Sequence, residues 1–224
     1  MNIHKVYGRI SPYFRRRRRR LFVQLLHPAA CESILDLGGW PTFWSGVEMT
    51  CSITLLNPGF PEDIARQHPG FIYLPRDGCC TGLQDQSYGI IFSNSAIEHV
   101  GTRDRQLKFA QEARRLGGKI WIQTPAREFF IEPHLIAPFI HWLPLSWQRR
   151  LIRHFTVWGW LTKPTPTQVE GFLREVRLIT KAEMQQLFPD CEILVERFLG
   201  MPKSYIACRR GNPTAPLQDG LGRV

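Results

Sequence analysis

Three absences bound what this chain can be. No Cys-x-x-Cys pair occurs among its 224 residues, so the ligand spacing usual for a structural zinc site is missing. No run of ~18 apolar residues is present, and no transmembrane helix is expected. No Gly-x-Gly-x-x-Gly follows the first apolar strand, which disfavours a nicotinamide-dependent oxidoreductase. Internal repeats are also missing, and the single low-complexity stretch is a run of arginines. The six cysteines are Cys31, Cys51, Cys79, Cys80, Cys191 and Cys208. Several lie in strand-like apolar runs, which reads as buried free thiols in a reducing cytoplasm.

Acidic residues are in short supply. Lys and Arg number 29 against 19 Asp and Glu, for a net charge of +10. Arg15 to Arg20 supply six of those charges, leaving about +4 for the rest. The basic charge is therefore mostly local, and nucleic acid is not the expected partner. The arginine run, followed by Leu21 to Leu26, reads as a basic helix touching phosphate-rich partners or as a solvated arm. Arg19-Arg20-Leu21-Phe22 has the look of a twin-arginine export signal. However, the apolar run is shorter than the ~7–15 residues such a segment needs, and cleavage near Cys31 would cut against the strand that starts near Ser33. Export is not expected.

The remainder alternates strands and helices. Ser33 to Gly38, Ser52 to Asn57, Phe71 to Pro75, Tyr88 to Ser95 and Lys119 to Pro125 read as five strands. A helix is expected near Glu62, and Arg103 to Leu116 has helical spacing closed by Leu-Gly-Gly. Thr180 with Glu183 three residues on is a capping-box pattern. Cys191 to Phe198 and Lys203 to Arg209 read as two strands paired antiparallel. Alternation of this kind implies an α/β fold with a doubly wound, mostly parallel seven-stranded sheet. It carries a C-terminal antiparallel hairpin and an aromatic-rich insertion after strand five. The expected layout is a basic N-terminal arm or helix over 1–30, the α/β domain over 31–210 with its insertion at about 126–165, and a flexible tail over 211–224.

In such sheets the ligand crevice lies beyond the carboxyl ends of the strands, where strand order reverses. Polar residues gather at those ends. Asp36 closes strand one, Asn57 strand two, Asn94 and Ser95 strand four, and Thr124 strand five. Asp77 follows strand three, and Glu98-His99 open the helix after strand four.

Three stretches carry a resemblance. Ile34-Leu-Asp-Leu-Gly-Gly39, Arg76-Asp77-Gly78 running on through Ser95 to Glu98-His99-Val100, and Gly117 to Pro125 together resemble class I S-adenosylmethionine-dependent methyltransferases of the type 11 group. The likeness covers about Leu35 to Arg209 and is specific in combination. It implies the Rossmann-like methyltransferase fold and S-adenosyl-L-methionine as cofactor. Asp36, Gly38 and Gly39 would sit by the methionine end, and Asn57 by the ribose, where the family usually has an acid. Asp77 with the Gly78 amide would meet the adenine, and Asn94 and Ser95 the floor. Trp40 stands where the family's glycine-rich turn continues. It is expected either against the cofactor, as a cation–π partner at the pocket mouth, or in the core under the helix. Some relatives bind a metal through Glu-x-x-Glu-His. Ser95 holds the first position here, so that pattern is broken and no metal is expected.

The implied reaction is methyl transfer to a small acceptor that is hydrophobic or lipid-linked. An oxygen acceptor would benefit from a base with a pKa near neutrality, for which His99 and His134 are the candidates. Glu98 and Glu132 would orient them or cap helices. The segment Phe129 to Trp160 combines aromatics with Arg149, Arg150 and Arg153, and suits a lid over the acceptor or a surface touching anionic lipid. The expected location is cytoplasmic, with peripheral membrane contact through the arginine run and the insertion. The rival reading is a non-catalytic methyltransferase-like protein that binds a partner or RNA.

Overall fold

The computed structural model describes residues 3–44, 46 and 50–211, with side chains from Phe14 onward. Five apolar runs form the parallel part of one sheet. They are β1 (Ser33–Leu37), β2 (Ser52–Leu56), β3 (Ile72–Leu74), β4 (Tyr88–Asn94) and β5 (Gly117–Pro125). A short ribbon follows, β6 (Ile131–Glu132) with β7 (Ala137–Pro138), and the last hairpin is β8 (Glu192–Phe198) with β9 (Met201–Arg210). The sheet has seven strands in the order β3-β2-β1-β4-β5-β9-β8. β9 runs antiparallel to both β5 and β8. The expected doubly wound sheet with its terminal hairpin is thus present, and the reversal of strand order falls between β1 and β4.

Helices cover both faces because the central strands are apolar on both sides. They are α1 (Ile3–Leu26), α2 (Pro41–Trp44), α3 (Ile64–Gln67), α4 (Arg103–Leu116), α5 (Leu145–Phe155), α6 (Val157–Thr162), α7 (Pro166–Glu175) and α8 (Lys181–Leu187). Helix α4 starts where Thr102 accepts from the Arg105 N–H, and it buries Phe109, Ala110, Ala113 and Leu116 against Leu35, Ile91 and Ile120. The Thr180–Glu183 capping box opens α8 as its spacing indicated. A second capping box, Thr165 with Gln168 behind Pro166, opens α7. The helix expected near Glu62 amounts to four residues, α3.

Of the two readings of the arginine run, the helix is the one found, and it is packed. Phe22 and Leu26 are buried with Ile34, Phe92, Trp121 and Cys208. The Phe22 ring meets Phe92 edge-on at 5.1 Å and Trp121 at 5.7 Å. Phe14, Arg18, Phe22 and Leu26, four residues apart, form one inward stripe. Arg16, Arg17 and Arg20 remain exposed. From Phe14 onward the apolar face of α1 is therefore part of the core, and its exposed arginines lie on the other faces. The tail beyond Gly211 lies outside the described residues.

Leu135, Ala137, Ile140 and Ile152 of the insertion form a small core of their own with Val169 of α7. Among the described residues, no helix is long and apolar enough to cross a membrane. Cys31 and Cys80 are exposed and the other four cysteines are buried, all as free thiols.

Candidate functional site

The turn after β1 is fixed by backbone and packing together. Gly38 has φ +73°, a left-handed conformation that favours glycine, and its N–H donates to the Leu56 carbonyl at the end of β2 at 2.8 Å. A Cβ on Gly38 would lie 2.3 Å from the Ala96 Cβ, and one on Gly39 would lie 2.5 Å from the Asp36 Cγ. The turn is thus wedged between the ends of β2 and β4. A glycine pair suffices for this, which is why the position after it can carry a tryptophan.

Trp40 is not core. It is about a third exposed and stacks on Phe60 at 5.7 Å with the rings 26° apart. The core position belongs to Trp44, whose indole N–H donates to Asp36 Oδ2 at 2.8 Å. Asp36 is 2% exposed, and its Oδ1 has no partner among the described residues. Burial pushes its carboxyl up to about 8, and the Trp44 hydrogen bond offsets only part of this. Nothing in the spacing of Asp36 and Trp44 announces this pairing in the sequence.

The other rim residues are arranged as follows. Asn57 Oδ1 accepts from the Gly59 N–H at 3.0 Å, closing a local turn. Asp77 Oδ1 accepts from the Cys79 N–H at 2.9 Å, and Oδ2 from Arg105 at 2.8 Å. Burial works to raise the Asp77 carboxyl, but these hydrogen bonds and the Arg105 charge prevail and lower it. Gly78 is buried, with room for no side chain beyond a contact 3.0 Å from the Phe109 ring. Ser95 has φ +59°, and its hydroxyl donates to Gln123 Oε1 at 3.0 Å.

A feature the sequence did not reveal borders this floor. Arg18 reaches from α1 to the ends of β4, β5 and β8. It donates to Asn94 Oδ1 at 3.2 Å, Gln123 Oε1 at 3.0 Å and Glu196 Oε2 at 2.8 Å. Ser204 also donates to Glu196 Oε2, at 2.5 Å. Within a run of six arginines nothing marks the fourth as the inward one, except its place four residues before Phe22 and four after Phe14.

Across the rim, the fold brings His99 and His134 together, their ring centroids 4.7 Å apart. His134 Nδ1 pairs with Glu132 Oε1 at 2.7 Å, and the other Glu132 oxygen accepts from the Leu135 N–H at 2.5 Å. Burial disfavours a charged His134, but the Glu132 carboxylate outweighs burial and raises its pKa. His99 is shifted the other way, chiefly by burial. Glu98 is fully buried and accepts from Thr124 at 3.0 Å. Residues of the insertion and of the segment after it line a cavity of about 720 Å3, bounded by Glu132, Leu135, Trp142, Phe172 and Arg127. Its volume is in the range of small-ligand sites.

No protein-family model matches the chain, and no curated relative does. Solved structures do. A protein of Anabaena variabilis assigned as a methyltransferase of an antibiotic biosynthesis pathway is 18% identical, with a TM-score of 0.50. The match covers 81% of this chain and 64% of that one. A S-adenosylmethionine-dependent methyltransferase of Archaeoglobus fulgidus is 11% identical with a TM-score of 0.56, covering 92% of this chain and all of that one. The Haemonchus contortus phosphoethanolamine N-methyltransferase 2, solved with S-adenosyl-L-methionine, is 15% identical with a TM-score of 0.52. Here the match covers 81% of this chain but only 38% of the enzyme. The chain therefore spans less than two thirds of two of these three structures. The fold is the Rossmann-like fold of class I methyltransferases.

Proposed function

We propose that this chain is a S-adenosylmethionine-dependent methyltransferase acting on a small acceptor that is hydrophobic or lipid-linked. The observation that supports it best is the glycine turn wedged between the ends of β2 and β4 at the switch point, in the fold such enzymes share. In this reading the turn from Asp36 to Trp40 holds the methionine end of the cofactor. The Asp36 carboxyl lies directly against this turn, at Gly39. Asn57 offers its amide to the ribose, Asp77 with Gly78 meets the adenine, and Asn94 and Ser95 form the floor. The bound cofactor would supply a methyl group on an already activated sulfonium. The chain's residues then have to align the acceptor and keep water out. In this reading His99 and His134, which meet each other across the rim, face the acceptor's polar end.

Calorimetry tests this reading. The full-length protein is expected to bind S-adenosylmethionine. Asp77→Ala is expected to weaken binding tenfold or more, since a hydrogen bond to a charged group contributes about 1.5–3 kcal/mol. Unchanged affinity in a folded variant would remove Asp77 from the site. No binding by the wild-type protein would turn the reading towards a non-catalytic relative.

The acceptor class rests on the insertion. Leu145, Trp147, Phe155 and Trp160 are each more than half exposed, at 53%, 59%, 65% and 62%. Helix α6 packs on α1, which carries the exposed Arg16, Arg17 and Arg20. Exposed aromatics beside a basic helix suit a surface of anionic headgroups. Reversing those three arginines to glutamate is expected to lower binding to anionic vesicles at low salt by well over tenfold, at about 1 kcal/mol per basic residue. This change leaves Arg18 untouched. Equal vesicle binding by the two proteins would refute the membrane contact.

A further inference from the structure

We propose that Glu98, His99 and His134 hold a divalent transition-metal ion. One ligand atom from each lies within 4.8 Å of the other two. The donors come from two segments. Glu98 and His99 lie in the single helical turn after β4, and His134 lies between β6 and β7. The sequence expectation of no metal rested on Ser95, whose hydroxyl is turned to Gln123. It could not foresee that the insertion supplies a donor of its own.

Two independent observations point to a cation. Glu98 is fully buried, one of its oxygens bonds to Thr124 and the other has no partner among the described residues. A buried unpartnered carboxylate oxygen is costly unless something cationic meets it. Second, the Nδ1 of His134 is bound to Glu132, which is itself 2% exposed. A carboxylate holding the far nitrogen of an imidazole is the usual support of a metal-bound histidine, because it fixes the ring and leaves Nε2 as the ligand atom. Two imidazoles with one carboxylate favour zinc, cobalt, iron or manganese over calcium and magnesium, which prefer oxygen-only shells. Three protein donors also leave positions open. Resting on the methyltransferase reading, those positions would take oxygen donors of the acceptor, so His99 and His134 meet it through the ion.

The probe is cobalt(II) added to the full-length protein without cofactor or acceptor. The expected result is one cobalt per chain, with visible ligand-field bands and no thiolate charge-transfer band. Glu98→Gln and His134→Gln should each lose at least tenfold in affinity. Glu132→Gln should lose about 10–100-fold, as supporting partners typically do. His141→Gln, outside the cluster, should bind as the wild type does. The proposal is overturned by no uptake, by uptake unchanged in folded Glu98→Gln and Glu132→Gln, or by thiolate bands that place the ion on cysteines. Cofactor binding is measured separately on the metal-free protein. Cofactor affinity without cobalt uptake sinks this inference alone, and cobalt uptake without cofactor affinity sinks the methyltransferase reading alone.

Discussion

Arg18→Ala is expected to destabilise the protein by about 3 kcal/mol, because removing one partner of a buried ion pair leaves the other charge uncompensated. The Arg18 and Glu196 side chains are only 11% and 6% exposed, so solvent screening is slight. After truncation Glu196 keeps the Ser204 hydroxyl and a distant Lys203 amine at 4.0 Å. Asn94 and Gln123 lose a shared donor as well. In a domain of this size the midpoint of thermal unfolding should fall by roughly 10 °C. The pH dependence gives a second check. Burial alone would raise the Glu196 carboxyl, but the Arg18 charge and hydrogen bonds lower it. A lowered pKa means stability present above the unfolded value and lost as pH falls through the folded one. The gap between wild type and variant should therefore narrow in acid. Adding Glu196→Gln should recover part of the loss. Equal midpoints at neutral pH would show that the network contributes nothing.

The second large effect concerns Asp36. Its carboxyl is raised to about 8 by burial, so the folded protein holds a proton that the unfolded chain releases near pH 4. Stability from this group is complete below the unfolded pKa and declines as pH rises towards the folded value. The decline is about 1.4 kcal/mol per pH unit. Asp36→Asn keeps an oxygen for the Trp44 indole and removes the titration. Denaturant midpoints measured from about pH 5 to about pH 8 should fall more steeply for the wild type than for the variant. Parallel profiles would mean that Asp36 is ionised in the fold and has a counter-charge.

The strands, their mostly parallel sheet and the terminal hairpin were legible because apolar runs and turn residues encode them locally. The α8 capping box was legible for the same reason, two residues three positions apart fixing one helix start. The roles of side chains facing each other across the sheet were not. Glu132 beside His134, two residues apart, was legible as an orienting carboxylate, but Asp36 with Trp44, and His99 against His134, depend on how segments stack, and no local pattern reports that. Trp40 shows the limit well. The glycine pair gave the turn, but only the placement of Phe60 decided which way the indole lies. Arg18 shows it more sharply, since six identical residues differ only by helical phase.

The same arginine has a consequence for how the chain comes to fold. It joins α1 to Glu196, 178 residues later, while β9, the last of the described strands, lies inside the sheet between β5 and β8. On the ribosome, the parallel core from β1 to β5 can collapse early, but β5 keeps an open edge until the final hairpin emerges. Contacts this distant in sequence are slow to form, and an exposed apolar edge strand recruits other chains while it waits. Through that interval the buried face of α1 already shields Phe92 and Trp121, yet Arg18 has no carboxylate to meet. Emergence of the β8–β9 hairpin thus closes the sheet edge and neutralises the helix together, which makes that hairpin the segment whose removal should turn a soluble nascent chain into an aggregating one.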